Sequence, residues 1–115
     1  MRFLRKHKVS KTLLVISDLH LSAGNFINNK KNNLEDFHYD QELVQFFEFY
    51  SSKDYQNREV EVIINGDFLD FLAVPYVEYF DDCFWRDDAC LEKLKLIMGA
   101  HKEVFEALKK FISFK

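Results

Sequence analysis

Hydrophobic residues form two short runs along the chain, and each run ends in polar residues. The first covers Leu13 to Ile16 and stops at Ser17, and the second covers Val60 to Ile64 and stops at Asn65. Short runs of β-favouring residues between polar boundaries predict buried β-strands. The sequence therefore predicts two buried strands, separated by almost fifty residues.

A helix is predicted between the two strands. Asp40 is expected to cap it, and it should continue to about Lys53. Its apolar residues recur at three- and four-residue spacing and so share one face, which should cover a sheet: Leu43, Phe46, Phe47 and Tyr50. The order strand, helix, strand predicts a parallel pair with a right-handed crossover.

The second half of the chain predicts an irregular segment and then a long helix. Residues 68–88 are aromatic and acidic and contain Pro75, which is typical of an irregular flap or of short helices. From about Ala89 to Ser113 an apolar stripe predicts one helix, weakened in its middle by Gly99. The stripe comprises Leu94, Ile97, Met98, Val104, Phe105, Leu108, Phe111 and Ile112. His101 lies on the same stripe, and we expect it to be hydrogen-bonded rather than a metal ligand.

Polar residues suited to metal binding follow both strands. Asp18 and His20 come just after the first strand, and Asp67 follows the second. In an extended chain residues i and i+2 point the same way, so Asp18 and His20 should converge. Parallel strands end at one edge of the sheet, where α/β folds place their ligands, and this brings Asp67 to the same place. Carboxylates with an imidazole suit zinc, iron or manganese.

Composition narrows the class of protein. The chain has 115 residues, enough for one domain, and a formal net charge of -3, which gives no indication of a broad nucleic-acid surface. The Asn- and Lys-rich residues 23–36 predict a solvated connecting loop. Cys83 and Cys90 lack the C-x-x-C spacing that is typical of zinc or redox sites. The apolar run from Leu13 to Ile16 is too short for a signal peptide or a membrane span, so a cytoplasmic location is expected. A basic cluster before the first strand predicts a solvated segment: Arg2, Arg5, Lys6, Lys8 and Lys11.

Two motifs carry a family resemblance. Ser17-Asp18-Leu19-His20 contains D-x-H, and Gly66-Asp67-Phe68-Leu69-Asp70 contains G-D-x-x-D, each placed just after a predicted strand. Together they resemble the first two signature blocks of the calcineurin-like metallophosphoesterases, most closely a bacterial branch near the UDP-2,3-diacylglucosamine pyrophosphatases. The resemblance implies an α/β fold that begins an αββα sandwich. It also implies hydrolysis of phosphoester or pyrophosphate bonds in a phosphorylated small-molecule or nucleotide-type substrate.

The resemblance also implies a role for each motif residue. Asp18 and His20 would bind the first of two divalent metal ions (manganese, iron or zinc), and Asp67 would bridge both ions. Asp70 would orient the histidine that protonates the leaving group in this family, and that histidine is missing from this chain. Outer carboxylates of this kind fix the tautomer and direction of an imidazole.

The chain also departs from the family pattern. The later blocks, G-N-H-[DE] and G-H-x-H, do not occur, and the other histidines, His7, His38 and His101, match no motif. We therefore expect residues 1–115 to be an incomplete, amino-terminal portion of one metallophosphoesterase domain, with weak binding of one metal and little or no turnover. One alternative is a non-catalytic binding or scaffold module on the same fold. Another is a flavodoxin-like domain, but the chain has only three glycines and no glycine-rich phosphate loop.

Overall fold

A computed structural model describes residues 11–75 and 87–113 of the chain. It shows a mixed α/β structure with four strands, three α-helices and one 3₁₀ turn in this part of the chain. The strands are β1 (Lys11–Ile16), β2 (Phe26–Ile27), β3 (Lys30–Lys31) and β4 (Glu59–Ile64). The helices are α1 (Asp40–Tyr50), α2 (Asp87–Ala100) and α3 (Lys102–Ser113), and the 3₁₀ turn is Lys53–Tyr55.

Strands β1 and β4 form the central sheet. They pair in parallel with Leu14 opposite Val62 and Ile16 opposite Ile64. The predicted parallel pairing of two strands with a helix between them in sequence is confirmed, and the two carboxyl ends lie at the same edge. Residues 68–75 form turns and bends with a bridge at Leu69, and residues 76–86 of the predicted flap lie outside the described residues. Its last two residues, Asp87 and Asp88, begin α2 instead. The basic cluster is described only at Lys11, whose ammonium group contacts Glu61 at 2.6 Å.

The core lies on one face of this sheet. Leu14 and Val60 belong to the same buried cluster as Phe47 of α1 and Val104 of α3. The opposite face is open in the described part of the chain, where Val15 is 62% exposed. The prediction of buried strands therefore holds for one face only, because the described helices cover only that face.

Helix α1 packs as its sequence predicts. Leu43 and Phe47 are buried, and Phe46 and Tyr50 are packed against the core. Its amino-terminal cap was wrongly predicted, because the cap position falls on Tyr39 and no side chain caps the helix. Asp40 is instead the first helical residue. The helix ends at Tyr50, earlier than predicted.

The single long helix predicted over residues 89–113 is wrong. The chain forms α2 and α3, which meet at His101. The imidazole of His101 lies between the carboxylates of Asp40 and Glu35, so this side chain is held by other segments at the junction. Two residues of the predicted stripe, Met98 and Ile112, are exposed. No helix of the described residues is long and apolar enough to span a membrane.

The loop after β1 is more ordered than a solvated connector. Strands β2 and β3 form a hairpin whose turn residues, Asn28 and Asn29, have positive φ angles of 49° and 63°. Asparagine tolerates this left-handed conformation, which two-residue hairpin turns require. Glu35, which follows the hairpin, is only 4% exposed. The solvated-connector prediction therefore fails at this residue.

Candidate metal centre

Backbone pairing continues past the ends of β1 and β4 and aligns the two motifs. The Asp18 amide donates to the Gly66 carbonyl at 3.3 Å, and the His20 amide donates to the Asp67 carbonyl at 2.9 Å. A further bridge pairs Leu21 with Leu69. The D-x-H and G-D-x-x-D segments therefore run side by side, in register, beyond the regular sheet.

This alignment brings three predicted ligands together. One ligand atom from each of Asp18, His20 and Asp67 lies within 4.8 Å of the other two. Donor atoms around a tetrahedral transition-metal ion are about 3.4 Å apart, since each bond is about 2.1 Å. Movements of about 1 Å in these exposed and partly exposed side chains would therefore close the set around an ion. Two carboxylates and an imidazole also have the donor chemistry that such ions prefer.

The ligands converge by a different backbone route from the one predicted. Asp18, His20 and Asp67 have φ angles of 58°, 53° and 50°, in the left-handed region. The expectation that Asp18 and His20 share a side because the chain is extended is therefore wrong. Gly66 has φ 84°, which glycine adopts without strain, and a Cβ there would meet no neighbour. Non-glycine residues held in this region often mark functional sites.

Asp70 lies beside the ligand His20. Its Oδ2 is 3.3 Å from Nδ1 of His20, a long hydrogen bond, and its Oδ1 accepts the Ala73 amide at 3.0 Å. A carboxylate can only accept, so this contact favours the tautomer with the proton on Nδ1 and leaves Nε2 as the lone-pair donor. Metal-binding histidines commonly use one nitrogen in this way while a carboxylate holds the other. The family resemblance implies that Asp70 orients a histidine missing from this chain, and it does not imply the contact with His20.

The site is open to solvent and negatively charged. Asp18 and Asp67 are exposed, and the side chains of His20 and Asp70 are 42% and 23% exposed. Three carboxylates around one imidazole attract a cation, and the exposure leaves room for further ligands from water or substrate. Within residues 11–75 and 87–113 this is the one group of acidic, histidine or cysteine side chains with metal-binding spacing.

His101 is hydrogen-bonded, as predicted, and the group of ligands does not include it. It is 3% exposed, with both ring nitrogens engaged by carboxylates. Neither partner was predicted from the sequence: Asp40 was expected to cap a helix, and Glu35 was not singled out. No periodicity or motif distinguishes it from the polar residues around it, and only its burial shows that it is special.

Comparisons with known proteins do not assign the chain to a family. No family model, no curated protein and no solved structure matches it significantly. The resemblance to metallophosphoesterases therefore depends on the two motifs, and the arrangement of Asp18, His20, Asp67 and Asp70 is an independent observation beside it.

Proposed function

We propose that the chain binds a divalent transition-metal ion through Asp18, His20 and Asp67, at a site of the metallophosphoesterase type that acts on phosphoester or pyrophosphate bonds. The observation that carries the proposal is the convergence of these three ligand atoms within 4.8 Å, although Asp67 is far from the other two in sequence. The sheet edge, the left-handed backbone and the Asp70–His20 contact all support it.

Each residue has a distinct task in the proposed site. Asp18 and Asp67 supply carboxylate oxygens, and His20 supplies Nε2. Asp70 holds the proton on Nδ1 of His20 and limits rotation of the ring. A bound ion would act as a Lewis acid toward phosphoryl oxygens and would lower the pKa of a coordinated water.

Metal binding is tested first, with Mn²⁺ as the probe. Free Mn²⁺ is followed by electron paramagnetic resonance as it is added to the purified 115-residue chain. We expect saturable binding that is lost in Asp18→Asn and Asp67→Asn, since each change replaces a charged ligand by a neutral amide of the same shape. The matched control is Asp54→Asn, which makes the same chemical change at an exposed residue of the 3₁₀ turn.

Hydrolysis is tested separately from binding. The chain is assayed with Mn²⁺ on p-nitrophenyl phosphate and on bis-p-nitrophenyl phosphate. Turnover that disappears in Asp67→Asn but persists in Asp54→Asn supports a phosphoesterase site. Saturable binding without turnover favours the alternative, a non-catalytic metal-binding module. Mn²⁺ binding that is absent, or that is equal in all variants, overturns the metal-site proposal.

A further inference from the structure

A buried cluster of charged side chains lies at the junction of α2 and α3. Nδ1 of His101 is 2.8 Å from both carboxylate oxygens of Asp40, and Nε2 is hydrogen-bonded to Oε1 of Glu35. Glu35 and His101 are 4% and 3% exposed. Two carboxylates can accept from both ring nitrogens only if both carry protons, which makes His101 an imidazolium unless a carboxyl group is protonated.

Glu35 connects this cluster to the backbone that follows His20. Its Oε2 accepts the Ser22 amide at 2.7 Å, and its Oε1 accepts the Gly24 amide at 3.0 Å. Ser22 is fully buried. The carboxylate therefore holds two amides of the segment that begins two residues after the proposed ligand His20.

The same segment is tied to the loop that carries Asp70. The Ser22 hydroxyl donates to the Ala73 carbonyl at 3.0 Å, and the Ala73 amide donates to Oδ1 of Asp70 at 3.0 Å. The Asp70 amide in turn donates to the Leu21 carbonyl at 2.9 Å. His20 is thus held on both sides, by the backbone leading to Ser22 and by the Asp70 carboxylate.

A purely packing role does not require this chemistry. A buried carboxylate is unfavourable unless it is paired and fully hydrogen-bonded, and an apolar residue could fill the same space. The carboxylate of Glu35 instead fixes the orientation of the backbone, because each of its oxygens accepts an amide at a defined position. Outer groups with this function orient metal ligands in many proteins.

We propose that Glu35, held by His101 and Asp40, is a positioning residue for the metal centre. It fixes the backbone from Ser22 to Gly24 and thereby the direction of the His20 imidazole. The metal-related part of this inference rests on the proposed function, whereas the coupling between Glu35 and His20 is a property of the metal-free chain. Glu35 is not a ligand, because its oxygens are occupied by His101 and by the two amides.

The coupling is tested without metal, by nitrogen NMR of the imidazole rings in chain labelled with ¹⁵N-histidine. The signals of His20 are assigned with His20→Gln. We expect Glu35→Gln to shift or broaden them, because the amide keeps one acceptor oxygen and places an NH₂ donor where the second carboxylate oxygen accepts a hydrogen bond. Glu48→Gln is the matched control, since Glu48 is exposed on α1, and it should leave the His20 signals unchanged.

A second variant keeps the inference falsifiable if Glu35→Gln does not fold. Asp40→Asn weakens the cluster more gently, because the Asp40 side chain is 28% exposed and contacts His101 through Nδ1. We expect the same His20 signals to move, by a smaller amount. Unchanged His20 signals in every variant that circular dichroism shows to be folded would overturn the coupling.

Mn²⁺ affinity separates the two proposals. We expect Glu35→Gln to weaken Mn²⁺ binding by about 10- to 100-fold, as for other outer groups of metal sites. Binding that depends on Asp18 but is unaffected in folded Glu35→Gln overturns the positioning role alone. If wild type binds no Mn²⁺ while the His20 signals still respond to Glu35→Gln, the metal-site proposal fails and the coupling stands.

Discussion

Nδ1 of His20 lies 3.3 Å from Oδ2 of Asp70, a residue fifty positions further along the chain. The contact joins the two motifs through side chains as well as through the backbone. It also gives His20 a defined tautomer and a preferred ring direction, with Nε2 as the nitrogen that remains for an ion.

Removing the charge of Asp70 should weaken metal binding without removing a ligand. In Asp70→Asn the amide is a weaker acceptor for Nδ1–H, so His20 loses part of its orientation. We expect Mn²⁺ affinity to fall by about 10- to 100-fold, between wild type and the ligand variants. The measurement is the same Mn²⁺ titration, with Asp54→Asn as the control. Wild-type affinity in Asp70→Asn would show that the contact with His20 does not matter for binding.

Two glycines with similar backbone angles should respond differently to alanine. Gly24 has φ 87° and a Cβ there would lie 2.9 Å from Cβ of Ala100, whereas Gly66 has φ 84° and open space around it. Gly66→Ala should cost about 1–2 kcal/mol of unfolding free energy from backbone strain alone. Gly24→Ala should cost about 1–3 kcal/mol more, because overpacking adds to the strain. Urea denaturation measures both.

The double variant Gly24→Ala/Ala100→Gly isolates the steric part of that difference. Removing the Ala100 methyl group relieves the close contact but leaves the strain at residue 24. The unfolding free energy should therefore recover relative to Gly24→Ala, after allowing for the cost of Ala100→Gly measured alone. If the two changes are simply additive, the close approach to Ala100 is not the cause.

Neighbouring phenylalanines of α1 should differ strongly in their effect on stability. Phe47 is fully buried and packs on Phe111 with a ring-centroid distance of 5.8 Å, whereas Phe49 is 56% exposed. Phe47→Ala should lower the unfolding free energy by about 3–5 kcal/mol, the usual range for a buried phenylalanine. Phe49→Ala should cost only about 1 kcal/mol, from its ring contacts with Tyr50 and Tyr55. Equal losses would contradict the orientation of α1.

Lys93 should make the unfolding free energy depend on pH in the alkaline range. It is 1% exposed, and burial lowers the pKa of its ammonium group below 10.5. Between the folded pKa and 10.5 the unfolded chain binds more protons, so the unfolding free energy rises with pH in that window. Wild type should therefore gain stability relative to Lys93→Met as pH rises from neutral toward 10.5. Urea denaturation of both chains across this range checks the sign, and a pH-independent difference would contradict it.

Local pattern alone determined the strands, the buried stripe of α1 and the edge at which Asp18, His20 and Asp67 meet. Short apolar runs and the spacing of apolar residues in a helix depend on neighbours in sequence, which is why the strands and the stripe could be predicted. The edge could be predicted because the order strand, helix, strand restricts how the two strands can pair. The apolar stripe of residues 89–113 continues through His101, and it therefore predicted one helix where the structure has two.

Only the tertiary structure decided the left-handed backbone at the site, the Asp70–His20 contact and the burial of Glu35. Each depends on groups that are distant in sequence: Glu35 and His101 are sixty-six residues apart. A carboxylate in a polar loop is normally solvated, and it becomes buried only where amides and an imidazole replace its water. That replacement depends on how the loop, α1 and the α2–α3 junction come together, which hydrophobic periodicity does not encode.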